Sequence, residues 1–195
     1  MESLFIAYDG LARCGWCASA PDYIDYHDHE WGSPVHGDTA LFERITLEAF
    51  QSGLSWLTIL RKRDNFRSAF AGFDIDAVAR FGAADVERLM NDVGIVRNRK
   101  KVEATLTNAV AARALIDDQG PGALDRLVWS FAQDAEGRSR ARSLTELPPQ
   151  TDASKALSKA LKSHGFVFVG PTTMYAAMQA SGLVDDHIDG CHRAP

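Results

Sequence analysis

Ala84-Asp85-Val86-Glu87-Arg88-Leu89-Met90, then Val93-Gly94-Ile95, then Arg97-Asn98-Arg99-Lys100-Lys101 follow one another as an amphipathic run, a break of small residues and a basic restart. The first run predicts a helix and residues 93–95 a tight turn. A long helix is then expected from about Arg97, with Val102, Leu106, Val110 and Leu115 facing inward. Helix, Gly-containing hairpin and basic helix start together make a compact holder for a phosphate. Backbone N–H groups point outward there, and the helix N-terminus favours an anion. Gly94, Arg97, Arg99, Lys100 and Lys101 are therefore candidate contacts to a nucleic-acid backbone, as in helix–hairpin–helix elements. The competing reading is an ordinary solvated helix face.

Charge is distributed in a way that keeps both readings open. The chain carries a formal charge of −5. Residues 1–60 hold a net −7, residues 61–101 a net +4, and the remainder −2. The excess is concentrated in Arg61-Lys62-Arg63 and residues 97–101.

Moving outward, helical spacing dominates. Asp38 is a suitable N-cap for a helix from about Thr39 to Ser52, with Leu41, Phe42, Ile45, Ala49 and Phe50 on one face. Glu48 lies beside that face, so its carboxylate either reaches solvent or sits over a pocket. After Gly53, a second helix is expected from Leu54 to about Phe70, and its Trp56 is close enough in sequence to line a cleft with Glu48. Further helices are predicted after Phe73-Asp74-Ile75-Asp76, after Gly120-Pro121-Gly122, from Asp152 with Lys155, Lys159 and Lys162 on one face, and from Met174 to about Ser181, capped by Thr172 or Thr173. Residues 134–151 read as a polar loop, and Gly165–Pro171 is ambiguous between loop and strand. The expectation is an all-α fold of seven to nine helices in one domain, residues 14–192, after an N-terminal extension of residues 1–13.

Composition is that of an ordinary globular protein, at 46% hydrophobic and 24% charged. No apolar run approaches the roughly 18 residues of a membrane span, so no membrane partner is expected. The N-terminus lacks the basic region of a signal peptide. Three cysteines, an odd number, argue against a disulfide framework and for the cytoplasm.

Asp22-Tyr23-Ile24-Asp25-Tyr26-His27-Asp28-His29-Glu30-Trp31-Gly32 has only one aliphatic residue and reads as an aromatic turn, poor as core helix or strand. Its rings can stack on a flat ligand and its histidines can bind a metal. Cys14 and Cys17 form a single C-x-x-C pair, and His187 and Cys191 are four residues apart. Cys14, His27, His187 and Cys191 together would complete a closed tetrahedral zinc site joining the two ends of the chain; the alternative is unconnected surface residues.

An ordered series of motifs now becomes recognisable. It runs from Arg13-Cys14-Gly15-Trp16 through Tyr23–Gly32, Leu47-Glu48-Ala49-Phe50-Gln51-Ser52-Gly53-Leu54-Ser55-Trp56 and Gly94–Lys101. It continues with Gly165-Phe166-Val167-Phe168-Val169-Gly170-Pro171-Thr172, Gly182-Leu183-Val184-Asp185-Asp186-His187 and Gly190-Cys191. In this order they resemble the constitutive, type I family of bacterial 3-methyladenine DNA glycosylases, from about Cys14 to Cys191. The resemblance implies an all-α, helix–hairpin–helix glycosylase fold with a structural Zn2+ held by Cys14, His27, His187 and Cys191, leaving Cys17 and His192 spare. It implies that the essential carboxylate is Glu48 and that the base meets Trp16, Tyr26 and Trp56, with Tyr23 and Trp31 as pocket wall. Gly53 and Leu54 would wedge into the duplex. Ala49 and Phe50 depart from the small residue and Gln common after the family's Glu, which bears on the pocket floor.

The implied partner is double-stranded alkylated DNA, acted on by a monomer with no nucleotide cofactor. Methylation at N3 makes adenine cationic and a good leaving group, so the enzyme's work is to flip it out, hold it against aromatic faces and select it by hydrogen bonds. Two other classes compete: a zinc-stabilised DNA-binding module without catalysis, and a metallohydrolase with an open catalytic zinc.

Overall fold

The computed structural model describes residues 3–133 and 139–194. Its described residues form ten α-helices, three short 3-10 turns and one two-stranded sheet. The chain opens with β1 (Leu4–Ile6) and β2 (Ala12–Cys14), antiparallel with Leu4 opposite Cys14. The segment expected to be an N-terminal extension, residues 1–13, thus contains most of a hairpin. Its buried Arg13 binds Asp9 and, across the chain, Asp28, with the Nη2–Oδ2 contacts both 2.7 Å.

Residues 21–32 also correct an expectation. Pro21–His29 is a helix, α1, not a turn. Pro21 suits its first turn, Asp22 faces the positive end of the helix dipole, and His27 and His29 sit in the last turn. Counting aliphatic residues hides it because its inward stripe is aromatic: Tyr23, Tyr26 and His27 recur at helical spacing, and the last two are buried.

Helix α2 (Asp38–Gln51) forms as expected, but Gly37 occupies the cap position and Asp38 the first turn. The Asp38 carboxylate accepts from Gly122 N at 2.7 Å and Asp125 N at 2.9 Å, capping a different helix, α8 (Ala123–Trp129). The helix expected over residues 54–70 is two, α3 (Trp56–Leu60) and α4 (Arg63–Ala69), the first capped by Ser55. Helix α5 (Ile75–Ala79) follows a cap by Asp74. Helix α6 (Ala83–Asn91) then leads through the turn at residues 92–98 into α7 (Arg99–Gln119), where Asn98 Oδ1 accepts from Lys101 N. On α7, Val102 and Leu115 are buried, but Val110 is 48% exposed; Ala109 and Ala112 take that part of the inward stripe.

The rest is α8 (Ala123–Trp129), α9 (Asp152–Ser163) and α10 (Pro171–Ala180). Pro171 stands at the start of α10 after a cap by Gly170, so neither Thr172 nor Thr173 is the cap. Residues 165–170 are irregular, held to α7 by Asn108, which donates to Val167 O and accepts from Val167 N. Part of the expected 134–151 loop, residues 134–138, lies outside the described residues.

The main core contains a run of rings, Phe50, Phe66, Phe70 and Phe73, all inaccessible to solvent, with Phe50 and Phe66 centroids 4.7 Å apart. Each such ring contributes about 1.5–3 kcal/mol of burial. Phe50 thus faces the core; it does not form the pocket floor. A smaller cluster, Cys14, Ile188 and Cys191 with Leu4, Trp16, Leu144 and Leu147 against it, joins the two ends of the chain.

Candidate functional site

Between these two clusters lies a pocket of about 240 Å³. Trp16 reaches it from the 3-10 turn after β2, Tyr23 and Tyr26 from α1, Trp31 from the loop beyond, Glu48 and Gln51 from α2, and Trp56 from α3. The structure therefore brings together all six residues expected to form a base pocket. Their rings brace one another: Trp16 and Tyr23 centroids are 4.9 Å apart, Trp16 and Trp31 5.1 Å, Tyr26 and Trp56 5.5 Å. Electron-rich faces held this way attract a flat, electron-poor ligand by stacking and cation–π contact.

Among the described residues Glu48 is the one acidic residue in the lining, and it is 4% exposed. Burial pushes its carboxyl up to about 7, opposed by the positive charge of Arg44 one turn earlier on α2. Arg44 also donates to Tyr26 Oη at 3.3 Å, fixing the tip of a pocket ring. The indole N–H of Trp56 is buried without a partner among the described residues. A buried donor and a buried carboxylate beside one cavity suit a ligand that supplies the missing partners.

The four expected metal ligands also converge. Ligating atoms of Cys14, His27, His187 and Cys191, all buried, lie within 4.8 Å of one another. Such a cluster can hold a metal ion. Cys191 Sγ is 3.4 Å from His27 Nε2 and 3.7 Å from His187 Nδ1; Cys14 Sγ is 3.7 Å from His187 Nδ1. The hydrogen bond from Cys14 draws the Cys191 thiol well below its usual range, while the same contact and burial raise Cys14. Asp28 accepts from His27 Nδ1 at 2.8 Å, which leaves Nε2 as the lone-pair donor toward the cluster. Burial works to raise Asp28, but hydrogen bonds from Arg13, His27 and His192 hold it well below the ordinary carboxylate range.

Gly32 is needed where His187 passes, since a Cβ there would stand 2.9 Å from Nε2. Pocket and cluster share walls: Trp16 packs on His27 at 5.3 Å and Trp31 on His187 at 4.6 Å. Cys17 is buried outside the cluster, and His29 is exposed beside Asp25 at 3.6 Å.

The candidate backbone contacts divide. Gly53 and Leu54 stand exposed in the loop between α2 and α3, next to the pocket. Gly94 closes the turn before α7; a Cβ there would meet Asp92 Oδ1 at 2.9 Å and Asn65 at 3.1 Å, so the turn needs a residue without one. Arg97 and Lys100 are exposed, and Arg99, also exposed, pairs with Glu87 at 2.7 Å. Lys101 corrects its expectation. It is 8% exposed, and its Nζ donates to Phe50 O at 2.8 Å and Ser52 O at 2.6 Å, so its ammonium holds the end of α2 and is not displayed on the surface with Arg97, Arg99 and Lys100. Lys101→Met is expected to lower stability by about 1–3 kcal/mol by stranding the Phe50 carbonyl, measured by urea unfolding. An unchanged midpoint would refute that bond's importance.

Sequence reasoning missed Gln179 and Ala176 of α10 and Leu144 and Leu147, which complete the pocket wall. It also missed the Asp9–Arg13–Asp28 chain behind His27. Arg13 one residue before Cys14 and Asp28 one after His27 were the available signals.

The profile of the methyladenine glycosylase family matches residues 16–194. DNA-3-methyladenine glycosylase 1 of Escherichia coli (strain K12) is 49% identical over 93% of this chain and 96% of that protein. The DNA-3-methyladenine glycosylase of Haemophilus influenzae is 46% identical over 92% and 96%. A crystal structure of 3-methyladenine DNA glycosylase I superposes with a TM-score of 0.86 at 47% identity, covering 94% of this chain and all of that one. A tyrosine-to-phenylalanine variant of 3-methyladenine DNA glycosylase I, in complex with 3-methyladenine, gives 0.86 at 34% identity, covering 94% and 97%. By the family profile over most of its length and by its identity to these relatives, this chain belongs to the methyladenine glycosylase family.

Proposed function

We propose that this protein is a DNA glycosylase that flips 3-methyladenine out of alkylated duplex DNA and hydrolyses its bond to the sugar. One observation carries the reading: a buried carboxylate, Glu48, set in a pocket otherwise walled mainly by tryptophan and tyrosine. Alkylation at N3 makes the base cationic, and the rings favour it by roughly 0.5–2 kcal/mol per good contact. The Glu48 carboxylate accepts N–H hydrogen bonds from the base and stabilises its positive charge. The base leaves with the electron pair of the N–C1′ bond as a neutral molecule. Water adds to the oxocarbenium-like sugar, and its proton passes to solvent.

The four-residue cluster is read as a structural zinc site. Tetrahedral Zn2+ with its usual bond lengths places sulfur and nitrogen ligands about 3.6 Å apart, close to the 3.4–3.7 Å spacings here. Zinc bound there would tie the N-terminal hairpin and α1 to the C-terminal tail. Four protein ligands leave no open position for a reacting water, which argues against a catalytic zinc. Gly53 and Leu54 are placed against the opened duplex, and the turn before α7, with Gly94, Arg97, Arg99 and Lys100, against its phosphates. The enzyme is taken to act as a monomer. Three thiols without disulfides and a DNA substrate fit the cytoplasm.

Incubation with methylated DNA and chromatography of the released base test the activity. Free 3-methyladenine is expected, and its absence would refute the reading. Affinity for duplex should also fall with salt, with a slope of about −0.9 per phosphate contact. Arg97→Ala and Lys100→Ala should each flatten that slope by roughly one unit. A slope unaltered in both variants would remove the hairpin from the interface.

A further inference from the structure

We infer that Gln179 is a second base-selecting acceptor that works beside Glu48 to admit a purine bearing an amine at its 6-position and reject one bearing an oxo group there. The inference rests on the glycosylase reading of the pocket. Gln179 stands on α10 and lines the same cavity as Glu48. Its Nε2 donates to Asp186 Oδ2 at 2.8 Å, and the Tyr175 hydroxyl donates to the same oxygen. Asp186 is buried and borders the neighbouring cavity, not this one. A carboxylate oxygen accepts, so the amide must turn its nitrogen toward Asp186. Its carbonyl oxygen is then the end left to meet a base in the cavity that Gln179 lines, and the amide cannot flip without losing the Asp186 bond.

An exocyclic amine carries two N–H groups. Glu48 can take one, and leaving the other unpaired in a closed pocket costs about 1–3 kcal/mol. Gln179 Oε1 supplies the second acceptor from a different helix. A guanine-type base instead brings oxo lone pairs against that oxygen, and a site built from hydrogen bonds discriminates such pairs more strongly than an apolar one. Glu48 alone would discriminate poorly: burial brings its carboxyl near neutrality, and once protonated it can donate to an oxo group. An amide pinned at its nitrogen has no such second state.

The test is titration of the zinc-containing full chain with free 3-methyladenine and free 3-methylguanine, followed by quenching of pocket tryptophan fluorescence. Wild type should prefer 3-methyladenine. Gln179→Leu keeps the bulk and removes the acceptor. It should weaken 3-methyladenine about tenfold, or 1.4 kcal/mol, and leave 3-methylguanine equal or tighter, so the preference shrinks at least tenfold. Gln179→Met provides the same comparison if the leucine variant does not fold. Both should retain wild-type zinc content and fold cooperatively, with a melting midpoint lowered only by the lost bond to Asp186, and that lowering is common to the titrations of both bases. An unchanged preference, or equal loss for both bases, overturns the inference, the latter marking a merely structural residue. Wild type that binds both bases equally overturns it alone. Wild type that binds neither overturns the pocket reading with it.

Discussion

Glu48→Gln is expected to lower release of 3-methyladenine from methylated DNA by at least about 10²-fold, the scale on which a preorganised charge-stabilising group acts. The same change should remove a pH-dependent weakness of the fold. Burial raises the Glu48 carboxyl from its ordinary 4.5 to about 7. Between those values the folded state binds more protons than the unfolded one, so wild-type stability falls as pH rises from 4.5 to 7 and is flat above. The loss across the window is up to about 3 kcal/mol, and Gln, which does not titrate, should not show it. Urea unfolding at pH 5 and pH 8 reads the difference directly. Near-wild-type release by the variant would remove Glu48 from the chemistry. Parallel pH profiles for the two proteins would show instead that its carboxylate is well solvated.

Loss of the cluster should have the largest effect on stability. Cys191→Ala is expected to abolish zinc binding, from one ion per chain to none by mass spectrometry, and to lower the melting midpoint by more than about 10 °C. Structural zinc contributes folding free energy directly, and roughly 1 kcal/mol corresponds to about 2–4 °C in a chain of this size. Base binding should fall together with the midpoint, because Trp16 and Trp31 lean on the two histidines. A metal-free variant with an unchanged midpoint would contradict the clasp. Activity lost on chelation while the midpoint stays put would point to a catalytic metal instead.

Much of the helical framework was legible because spacing and breakers act locally. The stripe of α2, the break at Gly53 and the turn around Gly94 all follow from neighbours within a few residues. Failures occurred where the deciding partner is distant in the chain. Asp38 looks like a cap for its own helix and instead caps α8, because residues 122–125 come within reach only after folding. Lys101 sits in a basic run, yet two carbonyls about fifty positions earlier take its ammonium. Helix α1 was hidden because its buried stripe consists of rings whose burial depends on Trp16, Trp31 and Trp56 around them.

By itself, then, the sequence determined the helical class, the family motifs and the residue types of the site: a carboxylate, a set of rings, and two cysteines with two histidines. Only the tertiary structure decided that Glu48 is buried in the ring-lined pocket, that the two cysteines and two histidines converge, and that Trp16 and Trp31 of the pocket rest on the cluster's histidines. The physical reason is range. Helix formation is governed by residues a turn apart, whereas a carboxylate's proton affinity and a side chain's hydrogen-bond partner depend on what distant segments exclude or supply.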